Sequence, residues 1–344
     1  MTQSAITSGA KPGGRPSPFE EQLQQRRKNR LMGYLHKGLP TLPAYLLDLN
    51  ALLSSAMVDL KKVGRIIRTD PSLTAQVLRL CNSALFGLRR RVLSIEQAAV
   101  LLGTERLRTL VLTCAVMQFA GKHVPVKSLL GFWEHSFLAA LLSERVARFV
   151  DYPEKEQAYL GGLLHDIGQL PLWMLVMEEA HRQRELPPDN WPDNIPVERE
   201  FFGMDHGKVG RWLAVSWNFM PSFMDVFEHH HHPENAQHDP YLVAIVSAVD
   251  QFLQAQALAE LETPAQPEPA EVLAAPPEPA VIQATEAPAY LAQCFSALSP
   301  EEHLEILETL RTEYIHVLPL VQLGIAAVAP AGATESISIQ EKKL

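Results

Sequence analysis

Between Arg211 and Arg311 the chain contains no lysine or arginine, yet the same stretch carries 15 aspartates and glutamates. A surface of that sign repels polyanions, which excludes a nucleic-acid grip by the second half. Residues 1–211 hold 27 Lys and Arg against 21 Asp and Glu. That mild excess reads as solvated helix faces, so no nucleic-acid partner is expected. Cysteine is scarce too. Cys81, Cys114 and Cys294 are odd in number and far apart, which rules out a disulfide framework and suits a reducing, cytoplasmic compartment. No apolar run is expected to reach the ~18 residues of a membrane span, so no membrane partner is expected. The polar, Gly/Pro-rich opening from Met1 to Pro18 does not read as a secretory leader. Aromatics are only 7% of the residues, and no stretch alternates apolar and polar side chains as a half-buried strand would.

What is present favours helices. Leu and Ala dominate a chain of 344 residues that is 47% hydrophobic and 20% charged, a composition that fits a full helical core. The expected fold class is all-α: two packed helical bundles plus short C-terminal helices. Residues 1–20 are expected to be disordered, and Phe19 to His36 forms a polar helix. Pro40 and Pro43 in LPTLPAYLLDLNALL mark an extended entry into a helix from Ala44. Over 57–69, Leu60, Val63, Ile66 and Ile67 fall on one helical face. Asp70 and Pro71 give an N-cap and first-turn proline for a helix ending at Cys81. Ser94 opens a helix through Leu102, and Thr104 opens another to Phe119. Further helices are expected over 128–150, 154–165, 169–183 (after a break at Gly168 or Pro171), 197–217, 221–229 and 240–261, with a loop at Leu186–Pro196. Thr263 to Pro288 holds 7 Pro and 7 Ala and no basic residue, the composition of a linker. The resulting layout is a main domain over 21–261, divided into bundles at 39–120 and 128–261, then a linker at 262–288. Helices at 289–322 and a disordered tail at 323–344 complete it.

The stretch GGLLHDIGQL, Gly161 to Leu170, places His165 directly before Asp166 inside an apolar run. A buried imidazole and carboxylate must be hydrogen-bonded or hold a metal, because an unpaired buried charge is costly. His135, His206, the run His229 to His232, and Asp250 lie on separate expected elements. Helices packed around one core can project such groups inward, and they are ligand types for Zn, Fe, Mn or Ni. Taken singly, a helical histidine is more often an ordinary core or surface residue. At most two of the four consecutive histidines can face one site. His36, His123, His181, His238, His303 and His316 have no partner in the sequence. The joint order of the candidates is what carries weight.

That order resembles the HD superfamily of metal-dependent phosphohydrolases. The matching pieces are Trp133-Glu134-His135-Ser136, Gly162-Leu163-Leu164-His165-Asp166-Ile167-Gly168, Glu200-Phe201-Phe202-Gly203 leading to His206-Gly207-Lys208-Val209-Gly210, the paired His before Pro233, and Ala248-Val249-Asp250. Within the superfamily the chain most resembles the HDOD domain, the HD-related output domain of bacterial signalling proteins. LPTLPAYLLDL, IIRTDPSLTAQVLRLCNSALFG and SIEQAAVLLGTERLRTLVL resemble that domain's first helical bundle. The likeness covers about Leu39 to Leu261. It implies His135, His165, Asp166 and Asp250 as ligands of one metal, with His206, His230 and His231 extending the set to a second. The implied cofactor is one or two divalent ions, Fe or Mn.

The chain departs from the enzymatic relatives that cleave cyclic-di-GMP. They follow HDIG with Lys, where this chain has Gln169, and their GYP segment is replaced here by ENAQHDP. Asp225, Glu228, Glu234 and Asp239 make the surroundings acidic, and only Lys208 and Arg211 stand as candidates to hold an anion. The resemblance therefore implies a bacterial signal-transduction output module that binds a signalling protein, with the C-terminal helices as a docking or homodimer-forming element. The alternatives are a phosphohydrolase of a nucleotide or cyclic dinucleotide, and a metal- or redox-sensing regulator.

Overall fold

The computed structural model describes residues 18–36, 60–68, 70–121, 124, 126–183, 195–262 and 287–328. Most of the expected N-terminal disorder, the LPTLPAYLLDLNALL helix entry, nearly all of the 186–196 loop, nearly all of the Pro/Ala-rich linker and the tail from 329 lie outside the described residues. Among the described residues there is no strand, and the fold is all-α.

The polar helix is α1, Pro18–His36. A first bundle follows: α2, Leu60–Arg68, α3, Pro71–Cys81, α4, Ile95–Leu102, and α5, Thr104–Gly121. Its start signals act through local hydrogen bonds. Asp70 accepts from Leu73 N at 2.9 Å with Pro71 in the first turn of α3, and Ser94 accepts from Gln97 N at 3.2 Å at the head of α4. Each satisfies an amide that would otherwise lack an intrahelical partner. Leu73, Val77, Leu80 and Cys81 of α3 are buried, the 3.6-residue period of a core-facing stripe.

The second bundle comprises α6, Val126–Phe149, α7, Lys155–Leu164, α8, Gln169–Gln183, α9, Ile195–Phe202, α10, His206–Ser216, α11, Pro221–His229, and α12, Pro240–Glu262. The break before α8 is the turn 165–168, and Pro171 lies inside the first turn of α8, where a proline removes no hydrogen bond. The single helix expected over 197–217 is two. Gly203 has φ of 72° and Asp205 caps α10 by accepting from Lys208 N at 3.0 Å. This break aims the first residue of α10, His206, inward. Pro240–Leu258 of α12 is long and apolar enough to cross a membrane, contrary to expectation, but 67% of that stretch is buried within the fold.

Arg106 of α5 joins the bundles, reaching Glu144 of α6 at 2.8 Å and Glu156 of α7 at 3.0 Å. The C-terminal helices are α13, Ala289–Cys294, and α14, Pro300–Val328. They fold back on the core: Glu313 of α14 pairs with Arg145 of α6 at 3.2 Å, and Gln322 donates to Glu134 at 3.2 Å. Helix α14 passes through Pro319 and outruns its expected end, so residues 323–328 are helical rather than tail. Buried Val317, Val321 and Ile325 continue its apolar stripe, and that packing outweighs the local cost of proline.

Candidate metal centre

Two glycine contacts bring the site's elements together. Gly162 of α7 lies against the α6 backbone, where an added Cβ would stand 2.7 Å from the Ala139 carbonyl carbon and from Ser143 Oγ. Gly168 closes the turn after Asp166 and lies against α10, where a Cβ would collide with the His206 carbonyl and stand 2.6 Å from Gly210 N. Only glycine allows either approach. The first seats His165 beside α6, and the second brings Asp166 to the head of α10.

Seven side chains converge in two sets. His135, His165 and Asp250 form one, and Asp166, His206, His230 and His231 form the other; within each, the donor atoms lie within 4.8 Å of one another. In the first set, His135 Nε2 is 3.1 Å from His165 Nε2 and 3.3 Å from Asp250 Oδ1. In the second, His206 Nε2 is 3.3 Å from His230 Nε2 and 3.0 Å from His231 Nε2. Asp166 faces both. Its Oδ2 is 3.4 Å from His165 Nε2, and its Oδ1 is 3.3 Å from both His206 Nε2 and His230 Nε2. Asp250 is shared likewise, with Oδ2 3.6 Å from His231 Nδ1. Only His135 and His231 keep an appreciable edge to solvent, with side chains 26% and 18% exposed.

The far sides of the rings decide what the inward atoms are. His165 Nδ1 donates to Gly162 O at 2.7 Å, His230 Nδ1 to Val226 O at 3.0 Å, and His206 Nδ1 to Glu198 Oε2 at 2.8 Å. Those bonds place a proton on Nδ1 and turn the Nε2 lone pair into the cluster. His206 and His230 thus face each other with Nε2 lone pairs at 3.3 Å, a contact that a cation between them would relieve. Metal–nitrogen bonds of about 2.0–2.1 Å put neighbouring ligands roughly 3.0–3.4 Å apart, and the observed separations match. The set of imidazoles and carboxylates suits Fe, Mn or Zn. Asp166 Oδ1 is buried and accepts no hydrogen bond, which leaves it open to a metal. The residues present therefore fit a divalent-metal centre of one or two ions.

The electrostatics agree. Burial alone would raise the Asp166 carboxyl, but His165, His230 and His206 outweigh it and hold it well below the usual range. Burial would raise Asp250 too, and His135 and His165 overcome that. Burial would lower His165, yet Asp166 and Asp250 raise it well above the usual value. His231, buried beside His230, is pushed down to about 3. Two buried carboxylates thus demand positive charge within a ring of donors.

The remaining candidates stand apart. His229 lies 3.7 Å from Glu228 and His232 3.3 Å from Glu234, so each turns toward an acid rather than joining either set. Lys208 is exposed, and Arg211 pairs with Glu228 at 3.2 Å. Neither belongs to the two sets. Sequence reasoning missed two supporting residues. Glu198 is fully buried and accepts from both His206 N, at 2.7 Å, and His206 Nδ1. Gln254 donates to Asp250 at 3.0 Å. Gln254 stands one helical turn after Asp250, a spacing that could have flagged it. Glu198 gave no such signal, because the break between α9 and α10 separates it from its partner.

The chain matches the model of the HDOD domain over residues 39–233. A curated relative, an uncharacterized protein of Treponema pallidum (strain Nichols), is 24% identical over 232 residues, 65% of this chain, and the match spans only 43% of that relative's length. Two crystal structures share the fold. One is an HDOD domain protein of unknown function from Geobacter sulfurreducens, 21% identical with a TM-score of 0.62, covering 90% of this chain and 99% of that one. The other is a proposed phosphohydrolase of Shewanella amazonensis SB2B, 24% identical with a TM-score of 0.60, covering 87% and 98%. With the family match spanning more than half its length, the chain belongs to the HDOD domain family.

Proposed function

We propose that this chain is a cytoplasmic signalling module that acts by binding a protein partner and carries a divalent-metal centre that is structural rather than catalytic. In this reading His135, His165, Asp166 and Asp250 hold one ion, while Asp166, His206, His230 and His231 hold a second. The observation that carries it is the pairing of the charges next to the centre. Arg211, one of the two cations that the sequence offers to an anion, is committed to Glu228 at 3.2 Å, and His229 and His232 turn toward Glu228 and Glu234. Of those two cations only Lys208 is left to meet a phosphate-bearing substrate.

A second reading keeps the alternative of a phosphohydrolase. It is favoured by the completeness of the seven-residue set and by a carboxylate, Asp166, that faces both halves. Ions held there would lower the pKa of a coordinated water and polarise a phosphoryl oxygen. Elemental analysis of untagged protein, followed by a screen of cyclic dinucleotides and an aryl phosphodiester, separates the two. Bound Fe or Mn without turnover supports the module. Turnover that disappears in Asp166→Asn overturns it in favour of the hydrolase.

A further inference from the structure

Among the described residues of the first bundle, the large exposed apolar side chains lie on and just before the outer face of α4. Val100 is 77% exposed, Leu93 69% and Leu101 53%. Gln97, Val100 and Leu101 fall at i, i+3 and i+4 of one helix, so they share a face. Leu93 is drawn onto its head because the Gln97 side chain accepts from Leu93 N at 2.9 Å. The inner face of the same helix is ordinary core, with Ile95, Ala98 and Ala99 buried. A monomer gains nothing from leaving three large aliphatic side chains in water on one stripe.

Directly before this stripe stand Arg89, Arg90 and Arg91. All three are exposed, and none makes an ion pair among the described residues. Their segment is held in place. The Asn82 side chain at the end of α3 donates to Val92 O at 2.8 Å and accepts from Val92 N at 2.7 Å. Gly87, with φ of 54°, supplies the turn that brings the chain back. The acid of α4, Glu96, is already paired with Arg68 of α2. The patch is therefore basic and apolar on a chain whose formal net charge is -9.

We propose that the Arg89–Arg91 segment and the outer face of α4 form a docking surface for an acidic, apolar-bearing segment of a partner protein. The inference rests on the reading of the chain as a partner-binding module and gives that partner a chemistry. The arginines supply long-range attraction and orientation, and Leu93, Val100 and Leu101 supply the desolvated contact. A nucleic acid would find three cations around an aliphatic stripe and no extended basic track, which points away from a phosphate backbone. The surface lies on the first bundle and includes none of the seven clustered side chains.

The test measures fluorescence polarisation of a labelled peptide of repeated Glu-Glu-Leu against the full chain. A Gln-Gln-Leu peptide, an oligonucleotide and phosphatidylserine vesicles serve as comparison probes. The expected result is binding of the acidic peptide about tenfold or more tighter than the Gln peptide, weakened by salt. Arg89→Glu/Arg91→Glu and, separately, Val100→Ser/Leu101→Ser should abolish it, with circular dichroism unchanged because every altered side chain is exposed. Equal binding of both peptides overturns the proposal, as does a preference for the oligonucleotide or the vesicles. So does a wild-type dimer that Val100→Ser/Leu101→Ser converts to monomer, which would make the face a self-interface. Turnover in the phosphodiester screen would sink the functional reading without touching the peptide result. A failed peptide assay on a metal-bound, inactive protein would sink this surface alone.

Discussion

Asp166 and His206 meet at 3.3 Å through a carboxylate oxygen that accepts no hydrogen bond, while the other oxygen of Asp166 faces His165 at 3.4 Å. One side chain thus serves both halves of the centre. Asp166→Asn keeps the shape and removes the charge, and elemental analysis should find both equivalents lost. His135→Ala should cost only the equivalent held by its own set. A chelator should lower the Tm of the wild type, since a ligand that binds only the folded state stabilises it, and should leave Asp166→Asn unmoved. One equivalent retained in Asp166→Asn would show that the carboxylate does not bridge.

Glu198 acts on the centre through His206. Its Oε2 takes both the backbone N–H and the ring N–H of that residue, at 2.7 and 2.8 Å, from a fully buried position. Replacing such a carboxylate typically weakens metal binding by about 10–100-fold. Glu198→Gln should therefore bind metal less tightly at the second set, while the helical circular dichroism is retained. A titration of metal-free protein reads this directly, and an unchanged affinity would reduce Glu198 to a packing residue.

The helices were legible in the sequence wherever their signals were local. Asp70-Pro71 and Ser94 act within three residues, and the α3 stripe repeats every turn. The order His135, His165-Asp166, His206, His230-His231, Asp250 was legible because each residue sits in a short recognisable phrase. Long-range closure was less so. The break between α9 and α10 depends on Gly203 and Asp205 and on burying His206, and periodicity across 197–217 hides it. The course of α14 past Pro319 is set by what Val321 and Ile325 pack against, including a first-bundle turn where Leu85 presses on Gly324. Glu198 escaped notice because nothing in one sequence says that a glutamate eight residues upstream will face a histidine.

Gly168 and Gly131 offer opposite outcomes for the same substitution. A methyl at Gly168 meets the His206 carbonyl and the Gly210 amide, which are backbone and have little room to move. Gly168→Ala should destabilise by about 1–3 kcal/mol or more, as overpacking does, and should reduce metal content by pushing the turn away from α10. Gly131, inside α6, has nothing within 4 Å of its added Cβ. Gly131→Ala should stabilise by roughly 0.5–1 kcal/mol through helix propensity. Urea unfolding of both variants checks the pair, and a neutral Gly168→Ala would mean that the close approach is dispensable.

Asp225 clamps the segment that leads from the histidine run into α12. It accepts from Gln237 N at 2.7 Å and His238 N at 2.6 Å, and from His238 Nδ1 at 3.1 Å. Burial would raise its carboxyl, but the two backbone donors and the imidazole outweigh that and lower it. An unfolded aspartate titrates near pH ~3.9. Because the folded value lies below this, the clamp's contribution is fully present above about pH 4 and is lost as pH falls through the folded value. Asp225→Asn removes the charge at every pH and should destabilise by about 1–3 kcal/mol at neutrality. The gap between variant and wild type should then close as the wild-type carboxyl protonates. Urea unfolding from pH 7 to about pH 3, with chelator present so that metal release adds no slope of its own, follows that gap. A gap that stayed constant across the range would mean that the charge of Asp225 contributes nothing, and that only its shape holds the segment.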